Sequence, residues 1–391
     1  MKFAQQLLGI GLSLFTIIVY GCEPKPSSKN KETIIAQAIL NEKKPSSHTV
    51  KIALLLDTSN SMDGLINQAK AQLWDIVNKF THAKCGNEGA PNLQIALYQY
   101  GNDELSSREG YIQQVLGFSD DLDEISEKLF SLTTNGGEEY CGKVIQTALG
   151  QLDWGKNPDN LKMIFIAGNE PFTQGKLNYE DAATHAKEKD VIVNTIFCGD
   201  YEQGIHTRWK HGATLTGGEY TAIDHNRKVV HIDTPYDNVI IQLNSKLNRT
   251  YISYGALGQE KIQIQLDQDE NAMEMEEAVA VKRAVSKSSR LYKNSKWDLV
   301  DAYEEGTVAL SDIQTDELPP ELKNKNPKEI ESYIQKKREE RKKIQKEIQE
   351  LNIKREIYIT KNQKENSKGD LEGAMLEAIE KQAAQKNYKW E

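Results

Sequence analysis

Cysteine is scarce in this chain, and its spacing excludes whole classes of chemistry. Four cysteines occur in 391 residues: Cys22, Cys85, Cys141 and Cys198. None belongs to a C-x-x-C pair and no Cys/His cluster has zinc spacing, so structural zinc is not expected. The seven histidines are scattered and form no H-E-x-x-H. There is no G-x-S-x-G elbow and no Walker-type loop, and no nucleophile–base pair can be traced. The chain is therefore not expected to be an enzyme. An excess of positive charge is also missing. Against 49 Lys and Arg stand 58 Asp and Glu, a formal net charge of −9, and nothing favours nucleic acid as a partner. No internal repeat is visible. What remains is 38% hydrophobic and 27% charged, ordinary for a soluble protein with a polar extension and long enough for one large domain with accessories, or two domains.

One long uncharged apolar run is present, at residues 3–21, with 7–20 reading LLGIGLSLFTIIVY. It has the length and pattern of a secretory signal core. It ends in Val19-Tyr20-Gly21-Cys22, which resembles a bacterial lipobox, with Cys22 as the lipidated residue. The alternative is an uncleaved transmembrane anchor, since the run approaches the length that spans a bilayer. A Cys at the apolar boundary and a polar segment directly after it favour the lipoprotein reading. In either case the remainder faces the oxidising side of a bacterial envelope, periplasm or exterior. Glu23 follows the Cys, and its likeness to lipoprotein sorting in two-membrane bacteria implies the outer membrane. Residues 23–49, rich in Pro, Ser, Lys and Asn, read as a flexible tether.

From residue 50 strands and helices alternate. Residues 50–56 (VKIALLL), 93–100 (LQIALYQY), 163–167 (MIFIA) and 191–198 (VIVNTIFC) are apolar runs suited to strands buried on both faces. Residues 111–118, 219–223 and 229–232 read as edge strands. Helical spacing marks 64–80, 122–132, 143–152, 181–189 and 237–249. This pattern predicts an α/β fold, a doubly wound and mostly parallel sheet flanked by helices, over residues 50–255. Residues 256–326 read as a partly helical connection, with helices at 271–292 and 297–303. Residues 327–391 read as a charged helical region, with a long, highly charged helix over 328–366. There Ile330, Ile334, Ile344, Ile348 and Leu351 give a partial apolar stripe, interrupted between Ile334 and Ile344. The interruption favours a charged hairpin or a short coiled coil over a rod. A last amphipathic helix is expected at 371–386.

In a doubly wound sheet ligands bind at the carboxyl ends of the strands. The first strand ends there in Asp57-Thr58-Ser59-Asn60-Ser61-Met62, and a helix follows. One carboxylate and two hydroxyls on a single turn offer hard oxygen ligands to a small divalent cation, with room for water and an outside carboxylate. The bland alternative is a helix start, since Asp and Ser are good N-caps.

The strand, the D-x-S-x-S turn and the helix resemble the first motif of the von Willebrand factor type A (VWA) family, over about residues 50–254. The resemblance implies a metal-ion-dependent adhesion site, with Asp57, Ser59 and Ser61 as metal-binding positions and Mg²⁺, or else Ca²⁺ or Mn²⁺, as the ion. The second metal loop is then Thr133-Thr134-Asn135-Gly136-Gly137-Glu138-Glu139, with Glu139 as the candidate and Thr134 in reserve. The third loop departs from the family, because Gly168 stands where Asp is usual and neither Asn169 nor Glu170 is at the matching place. In this fold Cys141 and Cys198 fall near the same end of the sheet, which makes a disulfide between them a candidate beside free thiols. The implied function is metal-assisted binding of another envelope or extracellular protein, with the membrane reached through the N-terminal lipid. The alternative is a structural envelope scaffold with a degenerate, metal-free site.

Overall fold

A computed structural model describes residues 48–85, 90–226, 231–362 and 371–390. The expected signal segment, lipidated Cys22 and nearly all of the tether lie outside the described residues. Among those described, no helix is long and apolar enough to cross a membrane.

The long apolar runs become the middle of a six-stranded sheet in the order β4-β3-β1-β5-β6-β7. Its strands are β1 (Thr49–Asp57), β3 (Asn92–Tyr100), β4 (Ile112–Ser119), β5 (Leu161–Gly168), β6 (Ile192–Cys198) and β7 (Tyr220–Ile223). All pairs are parallel except β3 with β4 at one edge. Alternation along β1 explains why it reads as one unbroken run. Val50, Ile52, Leu54 and Leu56 enter one core, and Ala53 and Leu55 enter the other. On the first face lies α1 (Asp63–Thr81), which contributes Leu65, Leu73, Trp74 and Val77. On the second lie α3 (Cys141–Gln151), α4 (Tyr179–Glu188) and α6 (Trp209–Thr214). Each fully buried Leu or Ile contributes about 1.5–3 kcal/mol. Helix α2 (Leu122–Phe130) starts where the Asp121 carboxylate accepts the N–H groups of Asp123 and Glu124, and α5 is Tyr201–His206. The edge strand expected at 229–232 does not form at His231 and Ile232, and its first two residues lie outside the described set.

Beyond α7 (Asp237–Asn248) the chain departs from expectation. The single helix expected over 271–292 is two, α8 (Gly258–Met275) and α9 (Glu277–Lys287), separated at Glu276 in extended backbone. The chain folds back there so that Asp269 of α8 meets Arg283 at 2.6 Å and Lys287 at 2.7 Å on α9. After α10 (Leu299–Glu305) comes the long charged segment, as one 36-residue helix, α11 (Pro327–Asn362). The charged hairpin expected from the interrupted stripe does not form, and the segment is thus the long charged helix that its sequence reads as. Its buried positions are Ile330, Ile334, Arg341, Ile344, Ile348 and Arg355, so an arginine fills the interruption in the apolar stripe. Arg341 reaches Asp298 at 2.7 Å, Asp301 at 2.6 Å and the Thr250 carbonyl at 2.8 Å, and its guanidinium lies 4.0 Å from the centre of the Tyr251 ring. Arg355 donates to Asp237 at 2.9 Å. Helix α12 (Leu371–Gln385) packs on α1 and the sheet, where Gln382 and Asn194 exchange amide hydrogen bonds. A last strand, β8 (Tyr388–Trp390), pairs antiparallel with β2 (Ala83–Cys85). The C-terminal helices are therefore layered onto the sheet domain, within one compact unit.

Candidate metal centre

β1 lies between β3 and β5, so the connections leave its two sides in opposite directions. The carboxyl ends of the strands splay apart at that point, where ligands enter such sheets. Asp57 is the last residue of β1 and is fully buried. The Ser59 backbone N–H donates to Asp57 Oδ1 at 2.7 Å, which turns the loop. The other oxygen, Asp57 Oδ2, and the Ser59 hydroxyl are buried with no hydrogen-bond partner. An unpartnered buried polar atom costs about 1–3 kcal/mol.

The second loop, which leads into α3, is tied down by the Asn135 N–H donating to the Thr58 carbonyl at 2.9 Å. It brings the buried Glu139 carboxyl against Asp57 and Ser59. Thr134 does not join them, because its hydroxyl donates to Asp63 at the start of α1 and latches loop to helix. Gly101, at the end of β3, has φ +77°, and a Cβ there would meet Asp57 Oδ1 and Glu139 Cγ, each at 2.8 Å. Glycine is needed there on both counts.

The third loop, after β5, explains the missing Asp. A Cβ on Gly168 would meet the Tyr100 hydroxyl at 2.5 Å. That hydroxyl donates to the Ala167 carbonyl at 2.9 Å and occupies the space a side chain would need. The next residue is used instead. Asn169 Nδ2 donates to the Ser61 hydroxyl at 3.2 Å, joining the third loop to the first, while Asn169 Oδ1 is buried without a partner. Ser61 itself is exposed. Glu170 is an exposed side chain, but its backbone N–H donates to Glu139 at 3.3 Å and its carbonyl accepts the Trp209 indole at 2.8 Å. Gln174, Tyr100 and Gly101 were not singled out by sequence for this site. Gln174 accepts the Glu139 N–H at 3.0 Å and donates to Glu138 at 3.1 Å. Each acts across a long stretch of chain, with no local motif.

Electrostatically the pair is unbalanced. Burial pushes the Asp57 carboxyl well above the usual range, and the neighbouring Glu139 raises it further, against the hydrogen bond from the Ser59 N–H. Burial raises Glu139 as well. Two adjacent buried carboxyls, a hydroxyl without a partner and a carboxamide oxygen form a donor set that suits a hard divalent cation. Among the described residues no group of three or more His, Cys, Asp or Glu could hold a metal, so hydroxyl and amide oxygens must complete this set. The candidate Cys141–Cys198 disulfide is absent and both are free, buried thiols. They share an end of the sheet but not a face, since Cys141 packs in one core and Cys198 in the other.

Residues 51–204 match the family model of the von Willebrand factor type A domain, and such a domain is present there. No curated protein matches the chain. Among solved structures, proximal thread matrix protein 1 from the mussel byssus is 16% identical, with 45% of this chain and 42% of that one covered and a TM-score of 0.34. The pilus adhesin SpaC from Lactobacillus rhamnosus GG is 13% identical over 46% of this chain and 28% of its own, with a TM-score of 0.35. The SpRpn10 VWA domain is 15% identical over 46% of this chain and 99% of its own, at 0.34. The chain thus spans less than half the length of the byssus and pilus proteins it matches.

Proposed function

Because residues 51–204 form a von Willebrand factor type A domain, we propose that this chain is a non-enzymatic binding protein that engages another protein through a divalent cation at the carboxyl end of its sheet. The cation is held by Asp57, Ser59 and Glu139, with the Asn169 carboxamide oxygen and the Ser61 hydroxyl at its outer side, and Mg²⁺ is the first choice with Ca²⁺ or Mn²⁺ as alternatives. The protein is exported to a bacterial envelope and lipid-anchored through Cys22. Its domain faces the periplasm or the exterior, and its partner is another envelope or extracellular protein.

The observation that carries this reading is the unpartnered pair Asp57 Oδ2 and Ser59 Oγ, buried beside the Glu139 carboxyl. A structural helix start satisfies its own oxygens through N–H groups. This turn leaves two of them free and sets a second carboxyl against the first. A second reading, an anchored scaffold with a metal-free site, draws support from Gly168, whose neighbour Tyr100 excludes the usual third-loop carboxylate. Crosslinking in the native envelope with mass spectrometry, on wild type and Asp57→Ala, separates the two. Metal-assisted binding predicts a partner captured by wild type in a chelator-sensitive way and lost in the variant. Equal capture by both chains favours the scaffold.

A further inference from the structure

Exposed carboxylates lie on the loops that carry Asp57 and Glu139 and on the segments bonded to them. Asp63 accepts the hydroxyl of Thr134. Asp103 Oδ2 lies 3.5 Å from the point a Cβ on Gly136 would occupy. Glu138 holds Gln174 Nε2 at 3.1 Å, and Glu170 follows the third loop, with its N–H on Glu139 at 3.3 Å. All four side chains are exposed, and the loop bearing Asp103 adds Glu104 and Glu109 against one cation, Arg108.

Next to this rim Glu139 supplies a second buried carboxylate beside Asp57, and Asp57 Oδ2 and Ser59 Oγ are buried without a hydrogen-bond partner. A divalent cation held by both carboxylates is neutralised from within the chain. A carboxylate brought by a partner would then meet a neutral centre ringed by like charge, an arrangement that opposes association. We propose that Glu139 takes the seat a partner's acidic side chain would otherwise fill, and that the partner of this face is a Lys/Arg-rich protein segment read by the acidic rim. The inference rests on the metal reading above and departs from the family expectation of an acidic ligand.

The test uses the full chain loaded with Mg²⁺ and two immobilised synthetic peptides of equal length, one rich in Lys and Arg and one rich in Asp and Glu. Metal uptake is titrated in parallel. The basic peptide is expected to bind at least about tenfold more tightly, with an advantage that shrinks as salt rises. The rim variant Asp103→Asn/Glu138→Gln/Glu170→Gln, altered only at exposed positions, loses the preference while keeping metal uptake. Glu139→Thr shifts it toward the acidic peptide, with Glu139→Gln as a closer match in shape. Metal uptake by wild type together with equal or stronger binding of the acidic peptide, or with no binding of the basic one, overturns this inference alone. No metal uptake by wild type overturns the metal reading and this inference with it.

Discussion

The molecule buries charge in two regions, and it treats the two differently. In the C-terminal layer each described buried carboxylate meets a cation. Arg341 is paired with Asp298 and Asp301, Arg355 with Asp237, and Arg283 with Asp123 and Asp269. At the carboxyl end of the sheet Asp57 and Glu139 are buried against one another, and no described ion pair reaches either. Paired buried charge fixes an arrangement. Unpaired like charge destabilises one until something positive arrives. The first region clamps α11 and α9 onto the domain, whereas the second sets two carboxyls side by side with no described cation of the chain between them.

The comparison breaks first at Arg341. Replacing it with Leu leaves Asp298 buried without its cation, and we expect a loss of about 3–5 kcal/mol in urea unfolding. An unchanged midpoint would mean that the layer is held by its isoleucines alone. The opposite sign is expected at the sheet. In metal-free buffer Asp57→Asn removes a carboxyl whose ionisation burial and Glu139 both oppose and keeps an oxygen to accept the Ser59 N–H, for a gain on the order of 1 kcal/mol. A loss of stability there would show that Asp57 already has its compensation. The smallest effect concerns acid. Burial works to raise Asp269, but Lys287 and Arg283 outweigh it and hold the carboxyl well below its usual range. A depressed folded pKa gives stability that is complete above the unfolded value near 4 and is lost as pH falls below it. Asp269→Asn is therefore expected to flatten the decline in stability below about pH 4, and an unaltered acid limb contradicts the pairing.

The sheet was legible because apolar runs buried on both faces leave a plain signal, and the Asp57–Ser61 turn because it sits where such a run stops. The C-terminal layer was less so. Charge in α11 reads as solvated, yet Arg341 and Arg355 occupy the buried face, and only partners 43 and 118 residues away reveal this. The break at Glu276 carries no Gly or Pro. In the site, Glu139, the second-loop candidate of the sequence, does lie beside Asp57, whereas the exclusion of a third-loop Asp by Tyr100 depends on strands that meet only once the sheet is assembled. The free Cys141 and Cys198 follow from which face each occupies, a parity that position along the sheet does not give.

The central claim is that the buried oxygens around Asp57 are completed by a divalent cation. Its most direct test is the unfolding free energy of wild type and Asp57→Asn at neutral pH, with and without saturating Mn²⁺ or Mg²⁺. The account predicts a rise of about 2–4 kcal/mol for wild type at a hundred- to thousand-fold excess over its Kd, and none for the variant. A wild-type chain whose stability ignores both metals, or a variant stabilised as much as wild type, would contradict it.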